Sequence, residues 1–145
     1  MTPFSQRNFR YNVIINMFDG GFFGFAIGFV SFTTFLPLFV STMTDSAILI
    51  GLVPAVHNMG WLLPQLFTSK TVARLQVLKP YVLINTIHER LPFFFLAIVA
   101  WLIPTVGPTI ALVLTFAMLI WQGLGAGLAA NGWQNMIAKI IPSDF

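Results

Sequence analysis

Apolar residues run along this chain in four long stretches parted by three short polar breaks. The stretches cover residues 12–40, 46–69, 80–103 and 110–130. A bilayer core is crossed by about 20 apolar residues in a helix, so each stretch predicts a transmembrane helix. Beyond 130 the pattern predicts an interfacial helix through "NGWQNMIAKII" to about residue 141. The breaks are "STMTD" at 41–45, the basic "KTVARLQVLK" at 70–79, and "PTVGPT" at 104–109, where paired prolines bracket a glycine. The first stretch is about twice as long as a signal-peptide core and lacks a small-residue cleavage site, so it reads as a retained helix.

The third stretch holds a conflict. "INTIHERLPF", residues 84–93, sets His88, Glu89 and Arg90 just before a Phe-rich run. A helix starting after Arg90 would have only about 13 residues before Pro104, too few to cross. One starting at Pro80 has about 24 and crosses, carrying the ionic trio about 13–17 Å inward at 1.5 Å per residue. Charge supports the second choice. With the N-terminus in the cytoplasm, Arg7, Arg10, Lys70, Arg74, Lys79 and Lys139 all fall inside, and neither outer turn carries a Lys or Arg. That is the positive-inside pattern of a cell-membrane protein. A three-span chain with residues 70–103 on the surface would put Lys139 outside.

Composition agrees. The 145 residues are 57% hydrophobic and 8% charged, against roughly 25% charged in soluble domains. The expected fold is therefore all-α, a polytopic bundle of four transmembrane helices in one region spanning residues 1–145, with the lipid bilayer as its first partner. There is no cysteine, so disulfides and thiolate metal sites are excluded. The net charge of +3 is no nucleic-acid footprint, because the basic residues gather at membrane edges rather than among exposed aromatics.

Helical spacing sorts the polar residues onto faces. Asn12, Asn16 and Asp19 share one face of the first helix, while Gly20, Gly24 and Gly28 form a GxxxG stripe about 100° away, suited to helix packing. Pro54, His57, Asn58, Trp61 and Gln65 line one side of the second helix; His57 serves there either as hydrogen-bonded structure or as a proton relay. Asn85, His88, Glu89 and Pro92 share a face of the third, with Arg90 about 100° round. A lone charge at mid-depth costs about 2.5–3.5 kcal/mol, so Arg90 is expected to pair with Asp19 or Glu89, either to hold helices together or to serve transport. On the fourth helix Thr115, Gln122 and Ala129 align, and Gly123 and Gly127 admit a close neighbour.

Enzyme motifs are poor. His88 and Glu89 open an HExxH pattern, but its fifth position is Pro92, so a zinc ligand is missing. "GLGAGL" fails as a dinucleotide loop at Leu128. The sequence therefore predicts no catalysis, no metal and no cofactor, although a membrane enzyme using His57 or His88 with Glu89 stays open, as does a four-span structural or accessory protein.

A long first helix with GxxxG, a tight outer turn and a basic loop of about ten residues resemble the start of a major facilitator superfamily transporter. "KPYVLINTIHERLPFFFLAI" is similar to helix three of bacterial members, and "WQNMIAKIIPSDF" to the end of helix four and the loop after it. The loop at 70–79 keeps the family's length, basic character and final basic position (Lys79) but lacks its glycines and aspartate. The resemblance covers the whole chain and about a third of a twelve-helix transporter, and so implies a fragment, inactive alone, partnered by the remaining helices and a small-molecule substrate. It further implies that helices one and four line a central cavity. Asp19, Asn16 and Gln122 then become substrate or proton-pathway candidates, beside His57 as read from its own helix, and Glu89 and Arg90 become structural.

Overall fold

Proline at the start of a helix loses nothing, since its missing N–H would have had no intrahelical partner there. Pro80 is used in this way. The computed structural model describes residues 3–140, with side chains described over 9–139; the side chain of Arg7 and residue 141 lie outside this range. The described residues form α1 (Pro3–Phe29), α2 (Phe35–Ser41), α3 (Ala47–Ala73), α4 (Lys79–Val106) and α5 (Pro108–Ile140). The fold is all-α, and α1, α3, α4 and α5 each carry a segment long and apolar enough to cross a membrane. α4 begins at Lys79 and passes unbroken through His88, Glu89 and Arg90, so the ionic trio belongs to the third long helix.

Four boundaries differ from the sequence expectation, the first being that α1 begins at Pro3 rather than near residue 12. The stretch 12–40 is not one helix but α1 and α2, parted by residues 30–34. Pro37 is compatible with this. Inside a continuous helix it would clash with the Thr33 carbonyl and remove a hydrogen bond, whereas in the first turn of α2 it is tolerated. The loop at 70–79 shrinks to residues 74–78, because α3 runs on to Ala73 and α4 takes Lys79. Lys70 in the last turn of α3 favours that extension by complementing the helix dipole. The break at 104–109 shrinks to Gly107 alone, with φ 81° and ψ 161°, a region that is essentially glycine's own. The expected interfacial extension is simply the far end of α5, a single helix of 33 residues, about 50 Å long.

The helices pack as a three-layer core with α5 in the middle, against α3 on one side and α4 on the other. Ala111, Thr115, Leu119, Gln122, Ala126 and Ala129 form the buried stripe of α5, three and four residues apart as one helical face requires. Phe32, Leu36, Val40 and Met43 of the α1–α2 corner join Val53, Leu96 and Val99 in the same core.

Lipid supplies no hydrophobic drive between helices, so close backbone approach must hold them. Pro64 and Pro92 free the carbonyls of Gly60 and His88, four residues earlier in each case. These carbonyls face glycines of α5. A Cβ built on Gly127 would lie 2.8 Å from the Gly60 oxygen, and one on Gly125 would lie 2.6 Å from the His88 oxygen. With no side chain there, the α5 backbone can come close to the freed oxygens, an arrangement that suits weak Cα–H donation. Gly123 similarly lies against Gly60, where its Cβ would fall 3.1 Å from the neighbouring Cα. By contrast, a Cβ on Gly20, Gly24 or Gly28 would meet nothing within 4 Å. Among the described residues that stripe meets no neighbour, because α1 stands off the core and makes only scattered contacts with it.

Candidate functional site

Three polar contacts follow one another across the bundle. His57 Nδ1 on α3 lies 2.9 Å from Gln122 Oε1 on α5. Trp121, next to Gln122, donates its indole N–H to His88 Nδ1 on α4 at 3.2 Å. Two residues further along α4, Arg90 Nη2 lies 3.5 Å from Asp19 Oδ1 on α1. The three pairs tie α3 to α5, α5 to α4 and α4 to α1, and so make a polar belt through all four long helices. On α4 the belt sits about 13–17 Å from the Lys79 end at 1.5 Å per residue.

Helix position holds each member, and ring packing adds to it at His57, His88, Trp121 and Arg90. Gln122 is 1% exposed, so its amide must find a partner, and the His57 imidazole supplies it. With Gln122 Oε1 accepting, Nδ1 of His57 carries the proton and Nε2 is left as an acceptor. Phe32 stacks flat on this ring, with centroids 3.5 Å apart and planes 9° from parallel. The Phe95 ring stacks on Trp121 at 5.8 Å. Arg90 lies over the Phe23 ring, 5.3 Å from its centroid, which offers a delocalised cation a second contact. Half of each side chain in the Arg90–Asp19 pair is exposed.

Two clefts flank α1. The one towards α4, about 350 Å³, is walled by Phe22, Phe23, Val30 and Phe93, with Asp19 and Arg90 as its charged members. The one towards α3, about 570 Å³, is walled by Ser31, Thr33, Thr34, His57 and Asn58, with Gly24 and Gly28 opposite.

The other expected residues fall as follows. Asn16 turns its amide back to the Asn12 carbonyl at 2.7 Å and lines neither cleft. Glu89 stands beside Arg90 in the chain, but the guanidinium contact is to Asp19. His57 and His88 approach α5 through adjacent residues, on faces about 100° apart, so the two imidazoles are not brought together. Lys139 reaches the Leu75 carbonyl at 2.9 Å, which sets the end of α5 beside the loop between α3 and α4. Sequence reasoning missed Trp121, Phe32, Gly60 and Gly125. The first had a signal, since an indole N–H inside a bilayer needs an acceptor. Among known protein families, curated proteins and solved structures, nothing matches this chain.

Proposed function

We propose that this chain forms four helices of a secondary transporter for a small solute, of major facilitator type, working by alternating access. The observation that carries the reading is the polar belt: six side chains from four membrane-length helices, beside an open cleft, at a depth where each polar group is costly. A purely structural bundle has less use for a cleft walled by hydroxyl and amide groups. In this reading Asp19 is the coupling carboxylate, exchanging its Arg90 contact for a proton as α1 moves. His57, steadied by Gln122, faces the solute, and no catalysis is assigned. The chain lies in the cell membrane with its N-terminus cytoplasmic, since Lys70, Arg74, Lys79 and Lys139 gather at one end.

The test is uptake by cells carrying the whole reading frame. An Asp19→Asn substitution is expected to abolish accumulation against a gradient while leaving downhill exchange. Concentrative uptake that survives the substitution removes Asp19 from the coupling role. A frame that supplies no further spans favours a second reading, a four-span accessory protein. The unpacked stripe Gly20, Gly24 and Gly28 supports that alternative, since small residues at this spacing suit a helix from a partner.

A further inference from the structure

We infer that the cleft between α1 and α3 binds an uncharged, polyhydroxylated solute of sugar or polyol size. The inference rests on the transport reading and names its substrate class.

The argument begins with volume. About 570 Å³ lies within the range of roughly 300–1,000 Å³ that suits small-molecule sites. The chemistry of the walls comes next. Ser31, Thr33 and Thr34 bring hydroxyls, Asn58 an amide, and His57 an imidazole. Hydroxyls both donate and accept, the amide does each with a different atom, and His57 Nε2 accepts. This mixed set matches solute hydroxyls, which also do both. Part of it is unspent within the chain. Ser31 and Thr33 share one bond at 3.2 Å, but the Thr34 side chain does not cap α2. The exposed Asn58 amide makes no hydrogen bond among the described residues.

Charge narrows the class. No Asp, Glu, Lys or Arg lines this cleft. An ion entering it would lose hydration and find no counter-charge, a heavy cost at membrane depth. The nearby charges sit on the other side of α1, where Asp19 and Arg90 face each other in the second cleft. Ile27, Phe32 and Pro54 complete the lining and suit the C–H face of a polyol, while a wholly apolar solute would leave the hydroxyls and the amide unanswered. The opposite wall is bare backbone at Gly24 and Gly28, and the space above both is open, so a solute can approach the main chain of α1 directly.

The experiment is equilibrium binding to the full chain in nanodiscs, read as thermal stability and by dialysis of labelled probe. Glucose and myo-inositol are the neutral probes; succinate and choline are the charged ones. Glucose or inositol is expected to raise the unfolding midpoint, and succinate and choline to leave it unchanged. Asn58→Leu should weaken binding about tenfold, the worth of one hydrogen bond. Gly24→Leu, which fills the cleft, should abolish it. Neither site packs into the core, so both variants should unfold at the parent midpoint without probe. A shift with the charged probes only, no shift with either neutral probe, or unchanged affinity in Gly24→Leu overturns the assignment. Because the measurement involves no flux, the two readings fail separately. Neutral binding without transport by the whole frame sinks the carrier and keeps the cleft, whereas concentrative uptake of an ion with no neutral binding does the reverse.

Discussion

Gly125 has no room for a methyl group: a Cβ there would fall 2.5 Å from the His88 carbonyl carbon. Gly125→Ala must therefore push α4 from α5, and the expected loss is about 1–3 kcal/mol, as for other overpacked sites. Gly24→Ala is the control, since nothing stands within 4 Å of its Cβ, and unfolding of both in detergent checks the contrast. The sequence showed "GLGAG" as a place of close approach, and Gly123 and Gly127 were readable in it. Gly125 was not, because a one-dimensional glycine pattern does not say which neighbour each residue meets. The His57–Gln122 pair yields to a double-mutant cycle. Replacing either side chain by Leu leaves the partner without its bond, and a coupling of about 1 kcal/mol is expected, typical of hydrogen bonds between membrane helices. Strictly additive effects in the cycle would mean that the contact contributes nothing.

The elements were readable where length decides and opaque where a break falls among apolar residues. α4 had to start at Lys79 or Pro80, because the alternative is too short to cross. The break between α1 and α2, at residues 30–34, lies inside a run that an apolar count passes over as continuous. The run of α4 through His88, Glu89 and Arg90 makes a prediction at this level. The chain has no cysteine, so Glu89→Cys and Lys79→Cys can each be labelled without background. In lipid, a membrane-impermeant thiol reagent should modify the Lys79 variant readily and the Glu89 variant far more slowly. Equal rates would place the ionic trio in bulk water and dismiss the reading of α4 as a span.

Taken whole, the molecule has a firm half and a loose half. α3, α5 and α4 are joined by backbone contact, while α1 is tied to them mainly by Arg90–Asp19, Phe23 and the corner at Phe32. Hydropathy had no means of showing this, because it counts spans without naming their neighbours. The shared face of Asn12, Asn16 and Asp19 was correct as a pattern. However, the Asn16 amide is satisfied by its own helix, which leaves Asp19 to cross to α4. Exchanging the two charges, Asp19→Arg with Arg90→Asp, should restore membrane expression that either single change lowers. A double variant no better than the singles would show that the pair does not hold α1. The central place of α5 also has a consequence for biosynthesis. α3 and α4 hardly touch each other, and their proline-freed oxygens find glycine partners only on α5. A nascent chain leaves the ribosome with those two helices already made and nothing to fasten them, so α3 and α4 are joined only when α5 arrives.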